Sequence, residues 1–130
     1  TLHKNPAVPA VFVIGGIGIT PVRSIIAQAT HEHAPHKITL IYANRTRALA
    51  AYVDELERLA AENKNFTFVP VYTDTQGHVG AATIRQHVAD IAASRFYLAG
   101  PEGMVKAMRE LVLDVGADED KVRTEEFDGY

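Results

Sequence analysis

Short apolar runs rich in β-branched and aromatic residues recur along the chain and predict five β-strands. Several runs are apolar at consecutive rather than alternate positions, which is typical of strands covered on both faces. Such strands form parallel sheets that lie between two layers of helices. The predicted strands are residues 11–14, 38–42, 66–69 continuing through 71–72, 96–98, and a weaker run at 122–127.

Longer segments with a helical period separate these strands. The predicted helices are residues 21–30, 48–63, 82–92 and 101–115. Because strand and helix alternate throughout, the fold class is α/β, a three-layer, doubly wound sheet of five parallel strands. A length of 130 residues suits one domain, so residues 1–130 are predicted to form a single unit.

The heptapeptide GGIGITP, residues 15–21, follows the first predicted strand and is the first candidate for a binding site. Ligands of doubly wound sheets bind beyond the carboxyl ends of the strands, where this loop is expected. Its glycines allow a sharp turn and a close approach of the backbone to a ligand. Thr20 is predicted to cap the next helix, with Pro21 at the first helical position. The helix dipole would then favour an anion here, most naturally a diphosphate.

Two known phosphate-binding motifs do not describe this loop. The dinucleotide fingerprint G-x-G-x-x-G needs a third glycine where this chain has Pro21. It also needs an acidic residue at the end of the second strand, which here reads YANR at residues 42–45. A P-loop needs a lysine after the glycines, and none follows. The alternative at this point is a purely structural role, in which the glycines only form a tight turn.

Composition and charge disfavour several other classes of function. The 13 Lys and Arg residues are scattered and outnumbered by 16 Asp and Glu, so no nucleic-acid partner is predicted. No apolar run approaches the roughly 20 residues of a membrane span. The lack of cysteine excludes disulfides and thiolate metal sites and fits a cytoplasmic location. The histidines within residues 31–36 are more simply a solvated helix end than a metal site.

Three further motifs stand at the carboxyl ends of later predicted strands, namely ANRT at residues 43–46, YTDT at 72–75 and LAGPEGM at 98–104. With GGIGITP and the terminal EEFDGY, their order and spacing resemble the pyridine-nucleotide domain of the ferredoxin:NADP reductase family. Singly the motifs are weak, but four in order on one edge of one sheet are specific. The resemblance covers the chain from end to end. In that family the glycine-rich loop ends in Thr-Pro or Ala-Pro, so Pro21 fits its pattern.

The resemblance implies a site for a nicotinamide dinucleotide. It implies that the glycine-rich loop holds the pyrophosphate, with Thr20 near the nicotinamide and in a catalytic role. Residues after the fourth strand would line the groove for the nicotinamide half. Asn44 and Arg45 would lie near the ribose or phosphates, loop capping and a surface ion pair being their alternative roles. The implied cofactor-binding residues are Gly16, Ile17, Gly18, Ile19, Thr20, Pro21, Asn44, Arg45, Thr73, Asp74, Gly100, Pro101, Glu102, Met104, Phe127 and Tyr130.

The residues after the third strand predict which nucleotide is preferred. Members that use NADPH resemble one another in Ser and Arg at this place, where a guanidinium grips the 2′-phosphate. This chain has TDT at residues 73–75. A carboxylate accepts hydrogen bonds from free ribose hydroxyls and repels a phosphate, so Asp74 predicts NADH over NADPH. Arg45, Arg47 and Arg85 are the cations that could still reach a phosphate.

The chain begins at Thr1 without an initiator methionine or a signal-peptide pattern, so it is predicted to be the C-terminal domain of a longer protein. Relatives place a flavin-binding barrel before this domain. The resemblance therefore implies FAD or FMN held by an N-terminal domain of the same polypeptide. Phe127, also in a catalytic role, and Tyr130 would face the flavin; the alternative for Phe127 is docking of the last strand. Electrons would pass to an acceptor such as an iron–sulfur or haem protein.

The predicted function is thus the NAD(P)H-binding part of a flavin-dependent oxidoreductase, inactive alone because it lacks a hydride acceptor. One position departs from the family pattern: many members have Cys where this chain has Ala99, so any contribution of that thiol to the rate is absent. The alternative is a stand-alone module that binds a nucleotide or a partner without turnover. An α/β hydrolase or phosphatase is disfavoured, because neither a nucleophile elbow nor a metal cluster is evident.

Overall fold

Five parallel strands form one sheet in the computed structural model, which describes residues 2–127, with only the backbone at Glu126 and Phe127. The strand order is β3-β2-β1-β4-β5. Strand β1 lies at the centre, where Val13 is in register with Ile41 of β2 and Leu98 of β4. The predicted α/β class and five-stranded parallel sheet are confirmed. The strands are β1 (Ala10–Gly15), β2 (Ile38–Asn44), β3 (Phe66–Tyr72), β4 (Arg95–Pro101) and β5 (Val122–Phe127).

Helices cover both faces of this sheet. They are α1 (Ile19–His31), α2 (Val53–Glu62), α3 (Thr73–Gln76), α4 (Ala81–His87) and α5 (Glu102–Asp114). Helices α1 and α2 pack with Phe12 and Ile14 on one face, whereas α4 and α5 pack with Val11 and Val13 on the other. Successive β1 residues thus enter two different cores, which explains why the sequence run is apolar at every position.

Helix α1 begins two residues earlier than the sequence predicts. A 3₁₀ turn over Gly16–Gly18 leads directly into Ile19, and Gly18 occupies the N-cap position without a side-chain hydrogen bond. Thr20 therefore lies inside the first turn, and its predicted capping role is wrong. Pro21 is the third helical residue and still costs no helical bond, because the first four amide groups of a helix lack intrahelical partners.

Helix α2 begins at Val53, five residues after the predicted start at 48. Residues Arg47–Leu49 form a separate 3₁₀ turn, and Tyr52 has a left-handed backbone with φ of 65°. The buried Tyr42 hydroxyl accepts a hydrogen bond from the Ala51 amide at 3.1 Å. This hydrogen bond occupies the Ala51 amide, which would donate within the helix if α2 began at residue 48. The Tyr52 ring lies 5.0 Å from the guanidinium carbon of Arg23 on α1.

Helix α4 ends at His87, five residues before the predicted end at 92. Val88 has an extended backbone, and the Asp90 carboxylate accepts a hydrogen bond from the Ala93 amide at 3.1 Å. The Ser94 hydroxyl donates to the Asp90 carbonyl at 2.7 Å. Local side-chain hydrogen bonds therefore replace the last helical turn, as is common for Asp and Ser.

A histidine network attaches the N-terminal segment to the sheet. The His3 ring lies 2.7 Å from the Tyr97 hydroxyl through Nδ1 and 2.6 Å from the Val8 carbonyl oxygen through Nε2. A carbonyl only accepts, so Nε2 carries the proton and the Tyr97 hydroxyl donates to Nδ1. His36 Nε2 lies 2.8 Å from the His3 carbonyl oxygen and donates to it. Burial lowers the pKa of His3, with further lowering by His36 and Arg95 and an opposing effect of the Val8 carbonyl.

Candidate functional site: a cleft at the carboxyl ends of the strands

A cleft of about 700 Å³ opens at the carboxyl ends of β1, β2 and β3 and the beginning of α5. Chain order reverses between β1 and β4, which is the topological switch point where doubly wound sheets bind ligands. Its lining is mostly apolar with a few polar groups, the usual character of a small-molecule site. The lining residues are Gly15, Gly16, Ile17, Ala43, Asn44, Arg45, Leu49, Thr73, His78, Val79, Pro101, Met104 and Met108.

Two glycines permit the close packing of strand ends at the base of this cleft. A Cβ added to Gly15 would overlap the Met104 sulfur, so a side chain there would displace Met104. Gly100 has a φ of 153°, and a Cβ on it would lie 3.3 Å from the Gly15 carbonyl oxygen. Gly100 therefore favours glycine through its backbone conformation, whereas the lack of a side chain at Gly15 leaves space that the Met104 side chain fills.

Helix α1 directly follows the Gly16–Gly18 turn, whose Gly16 and Ile17 line the cleft, and it carries no acidic residue in its first turn. Helix α5 also begins there, but with Glu102 in its first turn. The positive end of a helix dipole attracts anions, and a nearby carboxylate competes for the same field. An anionic group bound at this edge therefore finds the more favourable electrostatic environment at α1. Thr20 and Pro21 are exposed in this turn, whereas Ile19 is 1% exposed and belongs to the core.

Asn44 and Arg45 lie side by side where β2 ends. The side-chain amide nitrogen of Asn44, Nδ2, is buried and has no hydrogen-bond partner within the part of the chain that the structure describes. A buried amide without a partner is costly, so a ligand oxygen in the cleft would stabilise it. Arg45 is exposed and pairs with Asp74 at 3.8 Å, from Nε to Oδ1.

Asp74 lies on the short helix α3, directly after β3. Its amide donates to the Arg45 carbonyl at 3.1 Å, which connects the ends of β2 and β3. The Gln76 side-chain oxygen accepts from the Tyr72 amide at 2.7 Å, and the Thr75 hydroxyl donates to the Tyr72 carbonyl at 3.2 Å. These hydrogen bonds stabilise the turn next to Thr73, which lines the cleft, and the Asp74 carboxylate lies beside it within 3.8 Å of Arg45 Nε.

Several lining residues were not predicted from the sequence. Leu49 lies in a segment predicted as helix, and Ala43 is the end of β2 itself. His78 and Val79 return to the cleft after Gly77, whose φ of 75° reverses the chain. The apolar side chains of Ile17 and Leu49 are 60% and 63% exposed on the cleft wall. No sequence signal marked Leu49, because neither its exposure nor the Arg47–Leu49 turn is evident from local sequence.

A smaller cleft of about 200 Å³ lies on the face of the sheet that α1 covers, where β4 and β5 pass beside α1. Gly18 and Pro21 of the predicted loop line this cleft, together with Tyr97, Ala99 and Glu125. The loop therefore contributes Gly16 and Ile17 to the large cleft and its later residues to the small one.

The remaining predicted site residues take different positions. Glu102 is exposed at the start of α5, and Gly100 is buried in β4 next to Gly15 of β1. The backbone of Phe127 pairs with Pro101 at the end of β5, beside the loop. Tyr130 lies outside the described residues.

Another cavity, of about 650 Å³, lies at the opposite edge of the sheet beside His31, His33 and Asn65, next to the amino ends of β2 and β3. No group of three metal-ligating side chains occurs among the described residues, and His36 is buried in the network with His3. None of the helices within residues 2–127 is long and apolar enough to cross a membrane.

The fold and the switch-point cleft define a dinucleotide-binding type of α/β domain. The chain belongs to the oxidoreductase NAD-binding domain family, whose family model matches residues 12–110. The predicted membership in the ferredoxin reductase-like group of NAD-binding domains is confirmed.

Curated relatives are much longer than this chain. The F subunit of the Na⁺-translocating NADH-quinone reductase of Klebsiella pneumoniae is 32% identical over 140 residues, covering 97% of this chain and 34% of that protein. Its counterpart in Methylococcus capsulatus is 30% identical over 132 residues, covering 92% and 32%. The chain thus spans about a third of the length of these relatives.

Solved structures share the fold. The flavohaem-like FAD/NAD-binding domain of nitric oxide dioxygenase from Vibrio cholerae matches with a TM-score of 0.85 and 22% identity, over 96% of this chain and 53% of that one. A flavohaemoglobin from Malassezia yamatoensis with bound FAD and haem matches with a TM-score of 0.82 and 24% identity, over 97% and 33%.

Proposed function

We propose that this chain binds NADH across the carboxyl ends of its strands and presents the nicotinamide to a flavin held by another domain. The observation that carries the proposal is the large cleft at the switch point, lined by Gly15, Gly16 and Ile17, in a member of the NAD-binding family. When bound, the dinucleotide supplies a hydride; the protein binds and orients it.

The pyrophosphate lies at the loop in this proposal, because α1 offers a helix N-terminus without an acidic first turn. The adenosine half extends toward Asn44, Arg45, Thr73 and Asp74. There the buried side-chain amide of Asn44, which has no partner among the described residues, and the Asp74 carboxylate are available for hydroxyl groups. Gly100, Pro101, Glu102 and Met104 mark the other end, with Thr20 close to the nicotinamide.

A preference for NADH over NADPH follows from the charge of Asp74. Asp74 directly follows Thr73 of the cleft lining, and in this proposal its carboxylate accepts hydrogen bonds from both ribose hydroxyls. A 2′-phosphate at the same place would meet a negative charge at short range. Arg47 is a weaker candidate for compensation, because its guanidinium already pairs with Asp54 at 3.3 Å and Glu57 at 3.1 Å.

The flavin domain is proposed to precede this domain in the same polypeptide, with residues 1–130 as its nucleotide-binding unit. Supporting this, relatives are about three times longer than the matched part, and two structural neighbours are named for FAD. The small cleft beside Pro21, Ala99 and Glu125 leaves part of the β4–β5 face open next to the loop. Phe127 and Tyr130 follow on β5 and beyond it, and we propose that they face the flavin, FAD or FMN. The acceptor is proposed to be a one-electron carrier such as an iron–sulfur or haem protein, and the compartment the cytoplasm.

A binding titration and a turnover assay on the same preparation test this function. NADH added to the 130-residue chain should show saturable binding by nicotinamide fluorescence, and NADPH should bind more weakly. A dye acceptor should not be reduced by the chain and NADH without a flavin, because the chain has no group that accepts hydride. Absence of NADH binding, or tighter binding of NADPH, would contradict the proposal. Binding that never supports turnover with a supplied flavin domain would favour the stand-alone binding module.

A further inference from the structure

Arg45 is the arginine that lines the large cleft within the described part of the chain. Its side chain is 76% exposed, and its contact with Asp74 is a single Nε to Oδ1 approach of 3.8 Å. Arg47, two residues later, is occupied by Asp54 and Glu57. Arg85 is exposed on α4 and does not line the cleft. Of the three arginines near the sequence motifs, only Arg45 therefore combines access to the cleft with a weak partner.

The two members of the Arg45–Asp74 pair are held differently. The Asp74 turn is fixed by its own amide and by the side chains of Thr75 and Gln76, none of which needs the ion pair. The Arg45 side chain is exposed, and an exposed ion pair at this distance contributes little to stability. Loss of the Asp74 charge would thus leave the turn in place and the guanidinium free to turn to another anion.

We propose that Arg45 is a latent 2′-phosphate ligand, which Asp74 keeps occupied, so that the pair and not the carboxylate alone sets the nucleotide preference. The inference rests on the proposed function, because it needs the adenosine ribose at the rim formed by β2 and α3. A guanidinium offers two parallel N–H groups to a phosphate, which is a stronger contact than its present single approach to Asp74.

The test is a double-variant cycle read out by binding, with NADH and NADPH as the probes, since they differ only in the 2′-phosphate. Asp74→Asn removes the charge and keeps the shape, Arg45→Gln removes the cation, and a third protein carries both. Arg85→Gln is the matched control, because it removes an exposed arginine that does not line the cleft.

Asp74→Asn should raise the affinity for NADPH relative to NADH about tenfold, as expected for one charge-assisted hydrogen bond. Adding Arg45→Gln should remove that gain. Arg45→Gln should change the ratio less in the parent than in the Asp74→Asn background, whereas Arg85→Gln should leave it unchanged in both. The gain should also shrink as salt rises.

An equal effect of Arg45→Gln in both backgrounds would overturn the inference, because it would mean that Asp74 acts by repulsion alone. An NADPH gain that survives Arg45→Gln would overturn it equally. Both outcomes leave NADH binding, and so the proposed function, intact. If none of the proteins bound either nucleotide, the proposed function would fail and this inference with it.

Discussion

Two glycines shape the neighbouring ends of β1 and β4 beside the cleft. Gly15 and Gly100 end neighbouring strands, and a side chain on either would meet Met104 or the opposite backbone. The sequence identified Gly100 through its motif, but Gly15 reads as only one more glycine of the loop. Its requirement depends on Met104, which lies 89 positions away in the chain and is brought close only by the fold.

Gly100→Ala, with Gly116→Ala as its matched control, tests whether the cleft depends on glycine at position 100. Alanine at a φ of 153° is strained, and its Cβ would press on the Gly15 carbonyl, so NADH affinity should fall about tenfold or more. Gly116 follows α5 with a φ of 114° and has nothing within 4 Å of an added Cβ. Gly116→Ala should therefore lower the melting temperature through strain alone and leave NADH affinity unchanged. Equal losses of affinity in both variants would show that strain, and not the cleft, is responsible.

At the element scale, strands were easier to predict than the ends of helices. Consecutive apolar residues mark a strand such as β1 because each of its faces enters a core. The start of α2 was missed because residues 48–52 keep a helix-like composition, while the Tyr42 hydroxyl captures the Ala51 amide. The same limit applies to the cleft: the motifs at strand ends include Asn44 and Thr73, which line it, but Leu49 depended on a turn that local sequence does not reveal.

The attachment of the N-terminal segment, residues 2–8, to the sheet should depend on pH. His3 is neutral in its network, and burial lowers its pKa below the ordinary 6.5, so the unfolded chain binds the proton more readily. The network's contribution to stability is therefore complete above pH 6.5 and is lost as the pH falls through the lowered value.

Amide exchange of residues 2–8 should accelerate on acidification from pH 7.5 to pH 5, after correction for intrinsic exchange rates. Tyr97→Phe removes the hydroxyl next to His3 Nδ1 and should loosen the segment already at pH 7.5. His3→Gln should remove most of the pH dependence. Unchanged protection of the segment across this pH range would contradict the assignment of His3 as its neutral anchor.

Among residues 2–127, cavities of about 700 and 650 Å³ lie at the carboxyl and the amino ends of the strands. The cleft at the carboxyl ends has the loop, the switch point and the Asn44 side-chain amide, which has no partner among the described residues. The cavity at the opposite edge, beside His31 and Asn65, has comparable volume but lies where the strands begin. We therefore expect a nicotinamide dinucleotide to bind in the first cavity and to leave the second empty.

Mapping amide NMR shifts while NAD⁺ is added to the labelled 130-residue chain tests that choice most directly. We expect saturable shifts that cluster in residues 15–18, 44–45, 73–74 and 102–104, with residues 30–34 and 63–65 unchanged. Shifts concentrated around 30–34 and 63–65, or no saturable shifts at all, would contradict the assignment of the carboxyl-end cleft as the dinucleotide site.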